Sequence, residues 1–310
     1  MSLPLPLAGP AGLPRSLRPW IALPAGELLA EKFPLLTKNP LTRTEMTAPA
    51  RPPVLDLLEQ IDLLEIRFLP EPAWLPPQKP KIFHWNYGLI EREFASLFRK
   101  LSRNIDDYPL FSADLGPAAV LRQGILPLSA SLSPQKLEEG IGRSTDLIRK
   151  YFKGRIALEN YNYYPTGLYE HICEPQFIGR ILEKFGLFLV LDLAHAQVSA
   201  HNLNLDFKKY LLEMPLDRTA EIHLSRAYIP KDRRSLAADR HLKPGTRELG
   251  LLDWLLDRLP QPDPVLAIEC YQSLGQVTAA YEDLYRLLDA RAARPPAEAV
   301  FRAQGELTLS

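Results

Sequence analysis

The chain has 310 residues, an ordinary length for one large α/β domain and enough to bury an extensive core. Its 37 Lys and Arg balance 37 Asp and Glu, so bulk charge gives no reason to expect a nucleic-acid or membrane-surface partner. Two isolated cysteines, Cys173 and Cys270, form neither a disulfide framework nor a CxxC metal site, and the expected setting is reduced and cytoplasmic. The N-terminal "MSLPLPLAGPAGLP" lacks the basic region of a signal peptide, and no apolar run approaches the ~18 residues of a membrane helix.

The 30 prolines crowd into residues 1–55, 69–80, 260–264 and 292–297. They mark an irregular N-terminal segment, two loops and a tail boundary. The domain therefore runs over 56–292, with a tail at 293–310; "PWIALP" (19–24) is a candidate first strand within the N-terminal segment. Short apolar runs follow: "IDLLEIRF" (61–68), "KIFHW" (81–85), "YPLFSAD" (108–114), "RIALEN" (155–160), "LFLVLD" (187–192), "AEIHLS" (220–225) and "VLAIEC" (265–270). Each reads as a strand buried on both faces of a parallel sheet.

Helices alternate with these strands. Phe94, Leu97, Phe98, Leu101 and Ile105 fall on one helical face. "SPQKLEEG" opens a second helix, with Ser133 as N-cap and Pro134 in the first helical position. "EPQFIGRILEKFG" directs Phe177, Ile178, Ile181, Leu182 and Phe185 inward and stops at Gly186. Repeated strand–helix units of this length predict a (β/α)8 TIM barrel. An open doubly wound sheet is the competitor, but no GxGxxG follows an early strand.

Chemistry in such barrels sits at the C-terminal ends of the strands. Here those ends carry His84, Asp114, Glu159 with Asn160, Asp192 with His195, His223 and Glu269. "DRH" adds Asp239 and His241, two apart and so on one face of an extended segment. Crowded buried carboxylates repel one another, and divalent cations remove that conflict. Mixed imidazole and carboxylate ligands suit Zn, Fe or Mn, and this set is large enough for two or three ions. His171 and His201 have no strand-end position and read as loop residues, while both cysteines read as packing.

The series Glu159, Asp192-x-x-His195, His223, Asp239-x-His241, Glu269 resembles the ligand order of the xylose-isomerase-like barrels, endonuclease IV among them. "LENYNYY", "EPQFIGRILEKFGLFLVLDLAHAQVSAHNLNLDFKKYLLEMPLDRTAEIHLS", "DRH" and "LAIECYQ" more closely resemble the multinuclear non-heme iron-dependent oxidative enzymes. That resemblance is dense over 155–225 and sparser over 239–271. It implies two or three irons and O2-dependent modification of a peptide, often at cysteine, presented by a partner protein. The implied iron ligands are His84, Glu159, Asp192, His195, His223, Asp239, His241 and Glu269, with Asn160 and Asn202 beside the metals or facing substrate.

Two positions depart from the family pattern. Asp114 stands where the family usually has histidine, which makes that ligand position harder and more anionic. Arg226 lies in "SRA", where the family usually has a Gly-His pair, and could hold a substrate carboxylate. The alternatives are a zinc phosphodiesterase like endonuclease IV, a sugar isomerase, or a metal-binding scaffold without catalysis.

Overall fold

The computed structural model describes residues 19–25, 53–67, 76–101, 105–122, 126–127, 129–260 and 264–294. Most of the proline-rich N-terminal segment, residue 68 at the end of the first apolar run, 69–75 of the first proline-rich loop, 261–263 of the second and the tail beyond 294 lie outside the described residues.

Eight parallel strands close into a barrel. They are β1 (Trp20–Ala25), β2 (Leu63–Ile66), β3 (Lys81–Gly88), β4 (Leu110–Asp114), β7 (Arg155–Glu159), β8 (Phe188–Asp192), β9 (Thr219–Leu224) and β12 (Val265–Ile268). Their order around the barrel is β1-β12-β9-β8-β7-β4-β3-β2, so chain neighbours are spatial neighbours throughout and β12 closes on β1. Two small antiparallel ribbons stand outside the barrel: β5 (Leu121–Arg122) with β6 (Leu126–Pro127), and β10 (Arg226–Tyr228) with β11 (Ala238–Leu242).

The helices are α1 (Pro53–Gln60), α2 (Phe94–Leu101), α3 (Pro134–Tyr151), α4 (Pro175–Lys184), α5 (Leu193–Asn202), α6 (Phe207–Leu212), α7 (Thr246–Leu256) and α8 (Leu274–Ala292). Ser133 caps α3 by accepting from the Lys136 amide at 3.4 Å, with Pro134 at the position where a missing N–H costs nothing. α4 buries Phe177, Ile178, Ile181 and Leu182, and Gly186 follows it at φ +59°, a left-handed conformation that favours glycine. The α2 face is narrower than its spacing predicts. Phe94 and Phe98 are buried, but Leu97 is 39% exposed, and Ile105 reaches the core from beyond the helix end.

Alternation along the strands divides the barrel interior into two tiers. Leu63, Ile82, Leu110, Ala157, Val190 and Ala267 belong to one apolar cluster. Two residues further along the same strands stand Glu65, His84, Ser112, Glu159, Asp192 and Glu269. A period of two keeps each pair on one face of its strand. The lower tier is thus a hydrocarbon plug, and the upper tier is a ring of polar groups at the barrel mouth. On β9 the pattern breaks: Glu221, fully buried, occupies the level that an apolar residue would take beneath His223.

Candidate metal centre

The upper tier gathers side chains that are far apart in sequence. His84 points Nε2 at Asp114 Oδ1 (3.6 Å) and Glu159 Oε2 (3.5 Å), while its Nδ1 lies 2.9 Å from Ser112 Oγ. His195 sets Nε2 3.4 Å from Asp239 Oδ2, and its Nδ1 lies 2.9 Å from the Asn160 carbonyl and 3.0 Å from Glu159 Oε1. His223 faces two ways. Nδ1 is 3.4 Å from both Glu159 Oε2 and Glu269 Oε1, and Nε2 is 3.4 Å from Glu65 Oε2 and 3.5 Å from Glu221 Oε1. His241 lies 3.0 Å from Asp239 Oδ2 through Nε2 and 3.4 Å from Glu269 Oε2 through Nδ1.

Local structure explains how the chain holds these groups. Asp192 ends β8 and caps α5, its Oδ1 accepting from the His195 amide at 2.6 Å, so a single turn presents both side chains. Asn160 clasps the backbone of Asp192. Its Nδ2 donates to the Asp192 carbonyl at 3.0 Å, and its Oδ1 accepts from the Asp192 amide at 2.8 Å. Asp239 and His241 do share a face, but not through a simple extended segment. His241 has φ +42°, and that local reversal, with its amide on Asp239 Oδ1 at 3.1 Å, swings the ring beside Asp239.

Electrostatics records the crowding. Burial lowers the affinity of the rings of His84, His195, His223 and His241 for protons, but the surrounding carboxylates more than offset it, and all four are raised; His241 reaches about 10. Burial and the neighbouring Glu159, Glu269 and Asp239 push Asp192 up to about 7, against the pull of His195. Burial also raises Asp114 and Glu221. Glu159, Asp239 and Glu269 are held below the usual carboxylate range, because the cations around them outweigh their burial.

The donors fit a divalent metal. Glu65 Oε2, Asp192 Oδ2, both Glu221 oxygens, both His223 nitrogens and His241 Nδ1 are buried with no hydrogen-bond partner among the described residues. Several lie at ion-pair distance from one another without hydrogen-bond alignment, as expected of groups aimed at a common centre rather than at each other. Three trios offer ligand atoms within 4.8 Å of one another: Glu65, His84 and His223; His84, Asp114 and Glu159; Glu159, Asp192 and His223. The anchored Nδ1 atoms of His84 and His195 leave Nε2 as the ligating nitrogen in each.

Other expected residues fall elsewhere. Arg226 is exposed on β10, where it pairs with Leu242 of β11, and is not among the residues lining the mouth. Asn202 sits at the end of α5 and ties down a loop. It donates to the Tyr163 and Ala237 carbonyls at 2.7 and 3.2 Å and accepts from the Ala237 amide at 2.8 Å. His201 is a helical residue of α5, 2.9 Å from the Ser235 carbonyl, not a loop residue; His171 does lie in a turn, at φ 68°. Both cysteines are buried.

Sequence reading missed Glu65, Arg67 and Glu221. Arg67 pairs with both Glu65 and Glu269 and lines the mouth, and Glu221 could have been found by counting two residues back from His223. Tyr161, Asn86, Asn162 and Tyr271 complete the rim of an opening of about 240 Å³.

Residues 128–287 match the family described as RiPP precursor modification enzymes MbnB/TglH/ChrH, a span of just over half the chain. The chain belongs to this family. The family segment carries Glu159, Asp192, His195, His223, Asp239, His241 and Glu269. His84 and Asp114 precede it. Relatives include the UPF0276 protein VP3015 of Vibrio parahaemolyticus, 29% identical over 136 residues, which are 39% of this chain and 47% of that protein. A UPF0276 protein of Caulobacter vibrioides is 34% identical over 89 residues, 29% of this chain and 31% of that one. The chain thus spans less than half the length of these relatives.

Among solved structures, a xylose isomerase domain containing protein from Salmonella typhimurium superposes with TM-score 0.51 at 13% identity, covering 78% of this chain and 91% of that one. The IOLI protein, solved with a zinc atom, superposes with TM-score 0.56 at 12% identity, covering 87% and 98%. At these identities the likeness shows the fold alone, that of a xylose-isomerase-like TIM barrel. Among the described residues no helix is long and apolar enough to cross a membrane.

Proposed function

We propose that this barrel is an iron-dependent oxidase that uses O2 to modify a peptide, with cysteine the favoured target and a partner protein presenting it. The observation that supports this reading most is the set of buried imidazole and carboxylate atoms that face one another without hydrogen bonds. Such a set, in a family of peptide-modifying enzymes, favours a multinuclear centre over a structural polar core.

His84, Glu159, Asp192, His195, His223, Asp239, His241 and Glu269 would hold two or three ions, with Asp114 as a further oxygen donor. When bound, iron supplies O2 binding and redox chemistry that no side chain here can perform. The chain's own residues do the rest. Ser112 and the Asn160 carbonyl fix the tautomers of His84 and His195. Burial, then the neighbouring Asp114, keeps the Tyr161 phenol protonated, so it remains a hydrogen-bond donor at the rim. Tyr161 stacks on Tyr169 at 5.7 Å, Tyr271 lies 4.9 Å from His241, and both Tyr161 and Tyr271 line the opening. At about 240 Å³ the opening falls below the roughly 300–1,000 Å³ of pockets that enclose drug-sized ligands, which suits entry of one side chain of a longer chain. Asn86 and Asn162 offer amide groups for that chain's backbone.

The test is anaerobic purification with iron, zinc and manganese offered together, followed by metal analysis and incubation with O2 and Cys-containing peptides encoded beside the gene. Retained iron and an O2-dependent mass change on the peptide are expected. Exclusive zinc retention, or cleavage of abasic DNA by the zinc form, would overturn the assignment.

A further inference from the structure

Around the barrel, seven consecutive strands from β12 through β9, β8, β7, β4 and β3 to β2 deliver polar groups to the upper tier. β1, of sequence WIALPA, has no ionisable side chain, so the ring of ligands has a gap between β2 and β12. Arg67, from the end of β2, crosses that gap. Its Nε donates to Glu65 and its Nη2 to Glu269 Oε1, both carboxylates being buried. Among the described residues lining the mouth it is the one fixed cation.

A guanidinium hydrogen bond uses a lone pair that a metal would otherwise take. The geometry agrees at Glu269, which none of the three trios of clustered ligand atoms among the described residues includes, while Glu65, bound by Arg67 at Oε1, enters one trio with its other oxygen, Oε2, facing His223. We propose that Arg67 is a resident cation of the centre, supplying to Glu65 and Glu269 the positive charge that a further metal ion would otherwise bring. The guanidinium keeps its charge at every physiological pH, and its planar fork reaches two carboxylates at once. Arg67 thereby takes the place of one ion at Glu65 Oε1 and Glu269 Oε1, and leaves Glu65 Oε2 and Glu269 Oε2 facing His223 and His241 for the ions that the other ligands hold. The inference rests on the metal-centre reading, but it concerns how many ions this chain accepts rather than what they catalyse.

The experiment compares full-length wild type with Arg67→Met and Arg67→Lys, loaded anaerobically with iron(II) and desalted, with metal per chain measured by mass spectrometry. Arg67→Met is expected to take up about one ion per chain more than wild type, because two buried carboxylates lose their cation. Added iron should also raise its melting temperature more than that of wild type. Arg67→Lys, which keeps the charge, should match wild type in ion count. If Arg67→Met folds only with metal supplied, that recovery is the same substitution of one cation for another and supports the assignment. Equal ion counts in wild type and Arg67→Met, or a gain in Arg67→Lys as well, would overturn it while leaving the metal centre intact. A wild type that binds no metal would overturn both.

Discussion

Asn160→Ala isolates the cost of building this centre. The side chain is fully buried and makes two hydrogen bonds, both to the backbone of Asp192, at 3.0 and 2.8 Å. Alanine strands a buried amide and a buried carbonyl at the end of β8. Each unsatisfied group costs about 1–3 kcal/mol, so a loss of about 3 kcal/mol is a moderate expectation. For a chain of this size, that corresponds to a fall in melting temperature of about 5 °C. The same change frees the turn that presents Asp192 and His195, so iron retention should drop about 10–100-fold. Urea unfolding of the metal-free protein gives the first quantity, and competition with a chelator gives the second. Unchanged stability together with unchanged metal retention would refute the claim that the Asn160 clasp positions these ligands.

Three further outcomes follow from the same geometry. The metal-free protein should be most stable in mildly acidic solution. Burial opposes ionisation of Glu65, but Arg67 and His223 hold it at about 2, so its contribution is complete above its ordinary 4.5 and is lost as pH falls toward 2. His241, held at about 10, contributes fully below its ordinary 6.5 and loses this as pH rises toward 10, while Asp192 opposes folding increasingly from 3.8 up to about 7. Greater stability of the metal-free form at about pH 8.5 than at about pH 5.5 in urea titrations would contradict that balance. Gly88→Ala should destabilise by more than about 3 kcal/mol in thermal unfolding, since its Cβ would sit 2.0 Å from the Gly116 carbonyl oxygen and both partners are backbone. Arg226→Ala should change stability by less than about 0.5 kcal/mol and leave metal content unaltered, because the side chain is exposed away from the mouth; weakened peptide binding by this variant would restore Arg226 as a substrate contact.

The barrel and most of the ligand ring could be read from the sequence because both depend on local pattern. Apolar runs that end in an acid or histidine mark a strand and its chemical end together, as "FLVLD" and "IALEN" do. Glu65 and Glu221 escaped notice because each lies inside an apolar run, where a single acid looks like an ordinary outward-facing residue. Only closure of the barrel turns that face inward. Arg67 was hidden for a different reason: its partner Glu269 is 202 residues away, and adjacency of β2 and β12 to the same strand brings them together. The φ of +42° at His241 has no signature in "DRH", since histidine does not announce a left-handed backbone as glycine does.

α5 is pinned at both ends. Asp192 and His195 face the metal centre from its first turn, while Asn202 and His201, in its last turn, hold the Ser235–Ala237 loop that leads into Asp239 and His241. Each residue of an α-helix advances the azimuth by about 100°. Adding or deleting one residue within Ala196–His201 would turn Asn202 away from Ala237 without touching any ligand, and the β11 pair would lose its register with the β8 pair. The length of this helix is therefore a gauge block for the centre. Drift in sequence along its buried flank can be absorbed by repacking, but drift in residue number cannot.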